Sequence, residues 1–273
     1  MSLRFLRRCP VGVIFAVVLP AVAASPATSR ELRICAEPNN MPFSNDRAEG
    51  FENRISQLIA TELGATVKFV WQPEWRGFVR KGLRAGSCDL IPGVPAKLGQ
   101  VRTTRPYYSA SYAFVQSPDA KPITAFDDAK LRNARIGVQL VGDDGANTPP
   151  MTELAQRGIT HNIRGFMVYG DWSKSDPLSP IVDAVARHDV DVALVWGPVA
   201  GYYGARQNPP LRVTPVSGTG TMSFSISMGV RKQDAALADE INRALDKRQG
   251  DIRRILADYN VPSNVDPKSA TAE

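Results

Sequence analysis

The sequence predicts an α/β protein of two lobes, joined by two crossover strands around a central cleft. Helical and strand patterns alternate along the chain, which is typical of helices packed on a largely parallel sheet. Residues 192–196 are wholly apolar, as expected for a central strand covered on both faces. Two β-rich runs, 111–116 and 224–230, enclose one block of alternating elements, so the chain crosses between the lobes twice. A pair of crossover strands can act as a hinge that closes the cleft on a ligand.

The first lobe opens with a strand, a polar turn and a helix. Residues 32–36 are mostly apolar or small and predict a buried strand. Pro38 follows it and cannot donate to a strand ladder, so the strand must end before this residue. A helix is predicted next, because apolar residues recur at the spacing of one helical face, namely Phe51, Ile55, Leu58 and Ile59.

The remaining patterns set the boundaries of the lobes. Helices are predicted over residues 75–83, 237–245 and 252–256, and also after Pro149 and Pro180, since Pro favours the first helical position. Strands are predicted over residues 89–93, 135–140, 167–169 and 211–216. We assign residues 31–112 and 224–262 to lobe 1, residues 116–220 to an inserted lobe 2, and residues 263–273 to a flexible polar tail.

The N-terminal residues 1–24 have the pattern of a cleaved export signal. Three arginines precede an apolar run, 11–19, that is too short to remain as a membrane anchor. The small residues 21–24 suit cleavage by signal peptidase. We therefore expect a periplasmic protein of about 250 residues, enough for two lobes, without a transmembrane anchor after cleavage.

Charge and motifs exclude several functional classes. The net charge of the whole chain is +6, and loss of the three signal arginines lowers it to +3. Because no Lys/Arg run of the mature chain exceeds two residues, no nucleic-acid-binding stripe is present. The two histidines, His161 and His188, have no neighbouring nucleophile, and the chain carries no phosphate-loop or metalloprotease motif. The sequence thus predicts neither an enzyme nor a resident cofactor or metal.

Two cysteines, Cys35 and Cys88, remain in the mature chain. An oxidising compartment permits a disulfide between them. However, Cys35 lies near the end of its predicted strand and Cys88 at the start of another. If these strands are parallel neighbours, the two residues are roughly 10 Å out of register, whereas a disulfide requires Cα atoms within about 7 Å. The predicted register therefore argues against the bridge, although the compartment allows it.

Candidate cleft residues lie where strands of lobe 1 end. Ligands of open parallel sheets bind beyond the carboxyl ends of the strands. Asn39, Asn40 and Phe43 follow the first strand, so their amides and ring are expected to line the cleft. Gly93 ends another strand, and its backbone N–H can face a ligand. The alternative for both segments is an ordinary turn, with Phe43 in the core.

A polar loop of lobe 2 supplies further candidates. Asp143, Asp144 and Asn147 stand between a predicted strand and a predicted helix, and could meet a cation or a hydrogen-bond donor. Their spacing is not that of a calcium loop. The alternative is a set of solvated acids that are favoured near the start of a helix by its dipole.

Several segments together resemble a known family, the quinoprotein-dehydrogenase-associated solute-binding proteins, or J proteins of bacterial methanol oxidation (MoxJ/XoxJ type). These belong to the type II periplasmic binding protein superfamily. The resemblance covers about residues 32–262 and is carried by LRICAEPNNMPFSN, GFENRI, TTRPYYSASYAFV, RIGVQLVGDDGANTPP and IVDAVARHDVDVALVWGPVAGYY. It implies a periplasmic accessory to a pyrroloquinoline-quinone-dependent methanol or alcohol dehydrogenase, encoded with that enzyme and its cytochrome c. The alternative is the substrate-binding protein of an ABC importer for a small solute.

The chain departs from the amino-acid-binding members of this superfamily at two places. Those members hold the ligand carboxylate with an Arg that this chain lacks at the matching place, where Arg102 or Arg105 is the candidate substitute. They also offer an acid to the ligand ammonium where this chain has Trp196. Tyr107 and Tyr108 adjoin the first place and are either cleft aromatics or core residues. The resemblance therefore implies a ligand or partner other than an ordinary amino acid.

Overall fold

The structure, a computed structural model, describes Met1 and residues 30–72, 77–141, 145–171, 173–216 and 220–262. Strands and helices alternate along most of this part of the chain, as the sequence predicts. The strands are β1 Arg30–Ala36, β2 Asn39–Asn40, β3 Ser44–Asn45, β4 Ala65–Trp71, β5 Ile91–Pro95, β6 Arg102–Thr103, β7 Tyr108–Gln116, β8 Ile136–Val141, β9 Ile163–Val168, β10 Val192–Trp196, β11 Arg212–Pro215 and β12 Ser223–Val230. The α-helices are α1 Phe51–Glu62, α2 Pro149–Gln156, α3 Pro180–Ala186, α4 Gly197–Gly204, α5 Ala235–Lys247 and α6 Gln249–Asp258, with a π-helical segment over Phe78–Arg84 and a 3-10 turn over Ala129–Arg132.

A long strand, β7, connects two groups of paired strands. Its N-terminal half pairs antiparallel with β12, which in turn pairs with β5. Its C-terminal half pairs antiparallel with β10 and β11, and β10 continues in parallel into β8 and β9. All nine residues of β7 are buried. This strand and β12 are the two predicted crossover strands, while the predicted lobe boundaries near them stay predictions.

The first group of elements is built on β1. It pairs in parallel with β4 over its whole length, and Ile34 bridges to Leu90 just before β5. Helix α1 covers this layer with the predicted apolar face, in which Phe51, Ile55 and Ile59 are fully buried. The strand β4 was not predicted, because its residues alternate in exposure and none is fully buried.

The second group is built on β10, whose first four residues are buried as the apolar run predicts. Helices α2 and α3 begin with Pro at their first turn, also as predicted. Thr148 does not cap α2 with its side chain, since its hydroxyl instead donates to the carbonyl oxygen of Gln139 at 2.7 Å. Helix α4 was not predicted, because it begins with Gly197 and Pro198, a pair of residues that more often marks a turn.

Cys35 and Cys88 form a disulfide, so the register-based prediction against this bridge is wrong. The two sulfurs are bonded, and the two Cα atoms lie 5.6 Å apart. Strand β5 begins at Ile91 rather than at Cys88 or Asp89. Cys88 lies in a turn, and its N–H donates to the carbonyl oxygen of Gly82. The register estimate failed because it extended the strand through Cys88 and Asp89, which precede β5 and are not part of it.

The turn that carries Cys88 is held by charged groups. The guanidinium of Arg33 donates to both carboxylate oxygens of Asp89, at 3.0 and 2.7 Å. Arg231 donates to Asp89 and to the carbonyl oxygen of Cys88. These contacts and the disulfide fix the position of the π-helical segment, because its Gly82 packs against both sulfurs.

Some predictions concern residues outside the described part of the chain. These are the export signal over residues 1–24, the polar tail over 263–273, the N-terminal end of the helix predicted over 75–83, and the side chains of Asp143 and Asp144.

No helix within the described ranges has the length and apolar character needed to cross a lipid bilayer.

Candidate functional site: a cleft beside the crossover strands

A cavity of about 680 Å³ lies between the end of β1, the π-helical segment and the crossover strands. Its volume is in the range of cavities that hold small molecules or a few side chains. Strands β5, β7, β10 and β12 all contribute side chains to it, as does the loop after β1. The residues that line it include Glu37, Asn40, Phe43, Glu52, Arg80, Arg84, Gly93, Tyr108, Tyr112, Trp196 and Phe224.

The loop after β1 forms one wall of the cavity. Asn40 and Phe43 both line it, and the N–H of Phe43 donates to the carbonyl oxygen of Asn40 to close a turn. The ring of Phe43 packs on Phe51, with centroids 5.3 Å apart. Phe43 is therefore half-buried against α1 and half-exposed to the cavity.

Asn39 does not line this cavity. Its side-chain amide donates to the carbonyl oxygens of Asp171 and Lys174, at 2.6 and 2.8 Å. The hydroxyl of Tyr203 donates to the carbonyl oxygen of Met41 in the same loop, at 3.2 Å. The loop after β1 is thus tied to the segment after β9 and to α4, on the flank of the cavity.

Aromatic rings of both crossover strands meet at Trp196. Its ring lies 5.3 Å from that of Tyr112 on β7 and 5.8 Å from that of Phe224 on β12, centroid to centroid. The backbone N–H of Trp196 donates to the side-chain oxygen of Gln139, at 2.8 Å. Trp196 therefore presents a ring, and no acid, to the cavity from the end of β10.

Tyr108 lines the cavity, whereas Tyr107 stands behind it. The hydroxyl of Tyr107 accepts from the N–H of Gly93 at 3.1 Å, and both tyrosines are almost fully buried. The two rings contact each other edge to face, 4.9 Å apart. Burial raises the pKa of each phenol well above its usual value, and the nearby Glu52 adds to the shift. Both hydroxyls therefore remain protonated hydrogen-bond donors.

Arg105 and Asn147 lie outside the cavity. The guanidinium of Arg105 pairs with Asp246 of α5 at 2.5 Å and donates to the carbonyl oxygen of Asn242. Its side chain is about half-exposed on the outer surface. Asn147 is exposed and is not among the cavity residues. Arg105 therefore does not replace the carboxylate-binding Arg of the amino-acid-binding proteins.

Two acidic residues of the cavity were not predicted, Glu37 and Glu52. Only 5% and 8% of their surfaces are exposed, and both line the cavity. Glu52 is the second residue of α1, and its carboxyl lies against Gly93: a Cβ there would be 2.4 Å from Oε1. The positive φ of Gly93, +72°, independently favours glycine at this position.

The environment of Glu52 favours its neutral form. Burial raises its pKa to about 8, the charge of Glu37 adds to the shift, and hydrogen bonds from Tyr107 and Tyr108 oppose it. Glu52 precedes Ile55 and Ile59 by three and seven residues, so it lies on the apolar face of α1. An acid on that face was the signal in the sequence that could have identified it.

Comparison with known proteins supports this fold. The profile of the bacterial extracellular solute-binding proteins, family 3, matches residues 32–261. The chain belongs to this family.

Within the family, three similar proteins are J proteins. Protein MoxJ of Methylorubrum extorquens is 30% identical over 260 residues, which cover 89% of this chain and 84% of that protein. The crystal structure of the periplasmic binding protein XoxJ from Methylobacterium extorquens AM1 shares 30% identity, covers 86% of this chain and all of that chain, and has a TM-score of 0.71. The crystal structure of MxaJ from Methlophaga aminisulfidivorans MPT shares 26% identity over 85% of this chain and all of that chain, with a TM-score of 0.74. The resemblance to the J proteins and the two-lobed type II fold are confirmed.

The site of this family 3 member is suited to binding. Aromatic rings, two buried carboxyls and backbone groups converge on one cavity, which is the usual composition of a ligand site. Among the described residues, no three His, Cys, Asp or Glu side chains are grouped to hold a metal ion.

Proposed function

We propose that the protein is a periplasmic accessory of a pyrroloquinoline-quinone-dependent methanol or alcohol dehydrogenase, and that it assists the activation, maturation or assembly of that enzyme. Its partners are the dehydrogenase and, in the same system, the cytochrome c. The similarity to MoxJ, XoxJ and MxaJ over most of the chain supports this proposal. The export signal predicted over residues 1–24 supports the location.

One observation of the site favours this function over amino-acid uptake. Trp196 stands at the end of β10, where the amino-acid-binding proteins offer an acid, and it packs between the two crossover strands. Arg105, the candidate for the opposite charge, is paired with Asp246 on the outer surface. A zwitterionic amino acid would leave its charges without the usual partners, which lowers affinity strongly.

The cavity offers the residue types that dominate the energy of protein interfaces. Trp196, Tyr108 and Phe224 supply aromatic surface, and the exposed side chains of Arg80 and Arg84 border the same cavity. Aromatic and Arg side chains are the usual anchors of protein–protein contacts. In our proposal a segment of the dehydrogenase occupies the cleft.

The test is affinity capture from a periplasmic extract. The tagged mature protein is immobilised, and the retained proteins are identified by mass spectrometry. We expect the quinoprotein dehydrogenase to be retained, and Trp196→Ala to weaken its retention. Trp71→Ala is the matched control, because Trp71 stacks on Phe69 and is not among the residues of this cavity. Retention of no dehydrogenase by the wild-type protein would contradict this function and leave the ABC-importer alternative.

A further inference from the structure

Resting on the proposed function, we propose that a basic surface beside the cleft binds an acidic, extended segment of the dehydrogenase. This basic rim consists of Arg80 and Arg84 on the π-helical segment, Arg102 on β6 and Lys232 in the turn after β12. It joins the cavity to a second, smaller groove. The segment that fits it carries carboxylates on either side of an apolar side chain.

The basic rim lies in a stretch with a local excess of positive charge. Residues 77–102 contain five Lys or Arg and a single acid, Asp89. That acid does not neutralise the rim, because its side chain is only 14% exposed and is paired with Arg33 and Arg231. Since the mature chain as a whole carries only +3, the excess belongs to this surface and not to the protein in general.

The four cations of the rim are available to a partner. Their side chains are exposed, and within the described ranges none of them forms an ion pair. The neighbouring Arg231 is different, because it is paired with Asp89 and Asp234. Arg102 donates through Nε to the carbonyl oxygen of Lys232 at 2.9 Å, so two cations of the rim lie side by side. Like charges held together are stabilised by an anionic partner.

The smaller groove gives the rim a shape as well as a charge. Its volume is about 210 Å³, below that of usual small-molecule sites, so it suits a side chain and not a whole ligand. Apolar side chains line it, of which Leu83 and Val101 are buried. Exposed cationic and amide side chains stand beside them, namely Arg84, Gln100, Lys232 and Gln233. The groove therefore suits an apolar side chain flanked by acceptors of hydrogen bonds.

The groove is continuous with the cleft. Arg84 and Gln100 line both the groove and the larger cavity. Arg80 borders the cavity on the same π-helical segment. A segment of the dehydrogenase that occupies the cleft thus passes along the basic rim, where its carboxylates meet guanidinium groups. Arg and carboxylate form strong, bidentate hydrogen bonds, which suit this contact.

The surroundings favour a protein partner over a lipid surface. Membrane-surface binding combines cations with apolar side chains that enter the lipid. The large apolar side chains exposed in the described chain are Met1, Met167 and Phe224, and none of them lines the smaller groove. The rim therefore offers cations around an enclosed apolar groove, without an apolar anchor beside it.

The experiment compares two blocked peptides on the purified mature chain. One is Glu-Glu-Leu-Phe-Glu-Glu, and the other has Gln in place of each Glu. By calorimetry we expect the acidic peptide to bind at least about ten-fold more tightly in about 10 mM salt, a difference of about 1.4 kcal/mol. The preference should shrink in about 150 mM salt, because the screening length falls from about 30 Å to about 8 Å.

Charge reversal identifies the surface. The double variant Arg84→Glu/Lys232→Glu should lose the preference for the acidic peptide and retain at least about ten-fold less dehydrogenase from a periplasmic extract. Arg84→Gln/Lys232→Gln should lose part of both. Arg132→Glu is the matched control, because Arg132 is an exposed arginine on the 3-10 turn and lines neither the groove nor the cavity. Circular dichroism checks that the variants fold.

Equal affinity of wild type for the two peptides, or an unchanged preference in both folded double variants, overturns the inference. Binding to phosphatidylglycerol vesicles without binding of the acidic peptide assigns the surface to a membrane and also overturns it. If wild type and double variants capture the dehydrogenase equally, the proposed function stands and the inference fails. If the peptide preference depends on the rim but wild type captures no dehydrogenase, the rim still binds acidic segments and the proposed function fails alone.

Discussion

The side-chain amide of Asn39 donates a hydrogen bond of 2.6 Å to the carbonyl oxygen of Asp171, which joins the loop after β1 to the segment after β9. A second bond from the same amide reaches the carbonyl oxygen of Lys174. These two segments belong to the two predicted lobes. Asn39 therefore links the two predicted lobes on one flank of the cleft.

Loss of the Asn39 hydrogen bonds should favour an open cleft. Asn39→Ala removes two hydrogen bonds, each worth about 1 kcal/mol in net terms. We expect a larger radius of gyration in small-angle scattering, together with a modest loss of thermal stability. Asn40→Ala is the control, because Asn40 lines the cavity on the same loop. Identical scattering from wild type and Asn39→Ala would show that the Asn39 hydrogen bonds do not restrain the lobes.

The buried carboxyl of Glu52 should make stability depend on pH. Burial raises its pKa in the folded chain to about 8, against an ordinary value of 4.5. Between these values the folded chain keeps a proton that the unfolded chain loses, so the free energy of unfolding falls as pH rises. Glu52→Gln removes this dependence and should be more stable than wild type at about pH 9, by on the order of a few kcal/mol.

Urea denaturation of wild type and Glu52→Gln at about pH 4 and about pH 9 measures the effect. The difference between the two proteins should be small at the acidic pH, where the carboxyl is protonated in both folded and unfolded states. A constant difference at both pH values would contradict the assigned shift. Glu31→Gln reports the contribution of a surface carboxylate.

The disulfide should contribute substantially to stability. It closes a loop with a sequence separation of 53 residues, and loops of this length correspond to about 2–4 kcal/mol. Because both cysteines are fully buried, the double variant Cys35→Ala/Cys88→Ala avoids leaving a buried hydroxyl. We expect its melting temperature to fall and to become insensitive to reductant. An unchanged melting temperature would mean that packing around Gly82 fixes the segment without the bridge.

Neutral α-amino acids should bind poorly. Trp196 provides no acid at the end of β10, and Arg105 is paired with Asp246 on the outer surface. Calorimetry with glycine, alanine and glutamine should detect no binding tighter than about millimolar, a level worth only about 4 kcal/mol. Micromolar affinity for any of them would show that other groups of the cavity pair both charges of a zwitterion.

Regular patterns predicted much of the fold. The apolar periodicity of α1 and the apolar run of β10 correspond to buried residues. Such patterns are readable in the sequence because the spacing of apolar residues directly indicates which face of a helix or strand is buried. The Cys35–Cys88 bridge was misjudged because the distance between the two cysteines depends on where β5 begins. The structure places that start at Ile91, a few residues after Cys88, and such a shift changes the expected distance by several ångströms.

The site could be predicted only in part. Asn40, Phe43, Gly93, Tyr108 and Trp196 line the cavity, since each stands at or near a strand end or on a crossover strand.

The direction of a loop side chain is set by tertiary contacts, so the sequence did not show that Asn39 bonds to the segment after β9 or that Arg105 faces α5. Glu37 and Glu52 were missed because an isolated acid is normally a surface residue. Their burial follows from packing around Gly93 and Gly170, which only the structure describes.

The decisive measurement is made in a strain that lacks the gene. Alcohol dehydrogenase activity of the periplasmic fraction is assayed beside uptake of labelled small solutes, with the wild-type gene restored on a plasmid as the control. We predict that the deletion lowers the pyrroloquinoline-quinone-dependent activity, that solute uptake stays normal, and that the restored gene recovers the activity. Full dehydrogenase activity with loss of uptake of one solute would contradict the accessory function and identify the protein as the receptor of an importer.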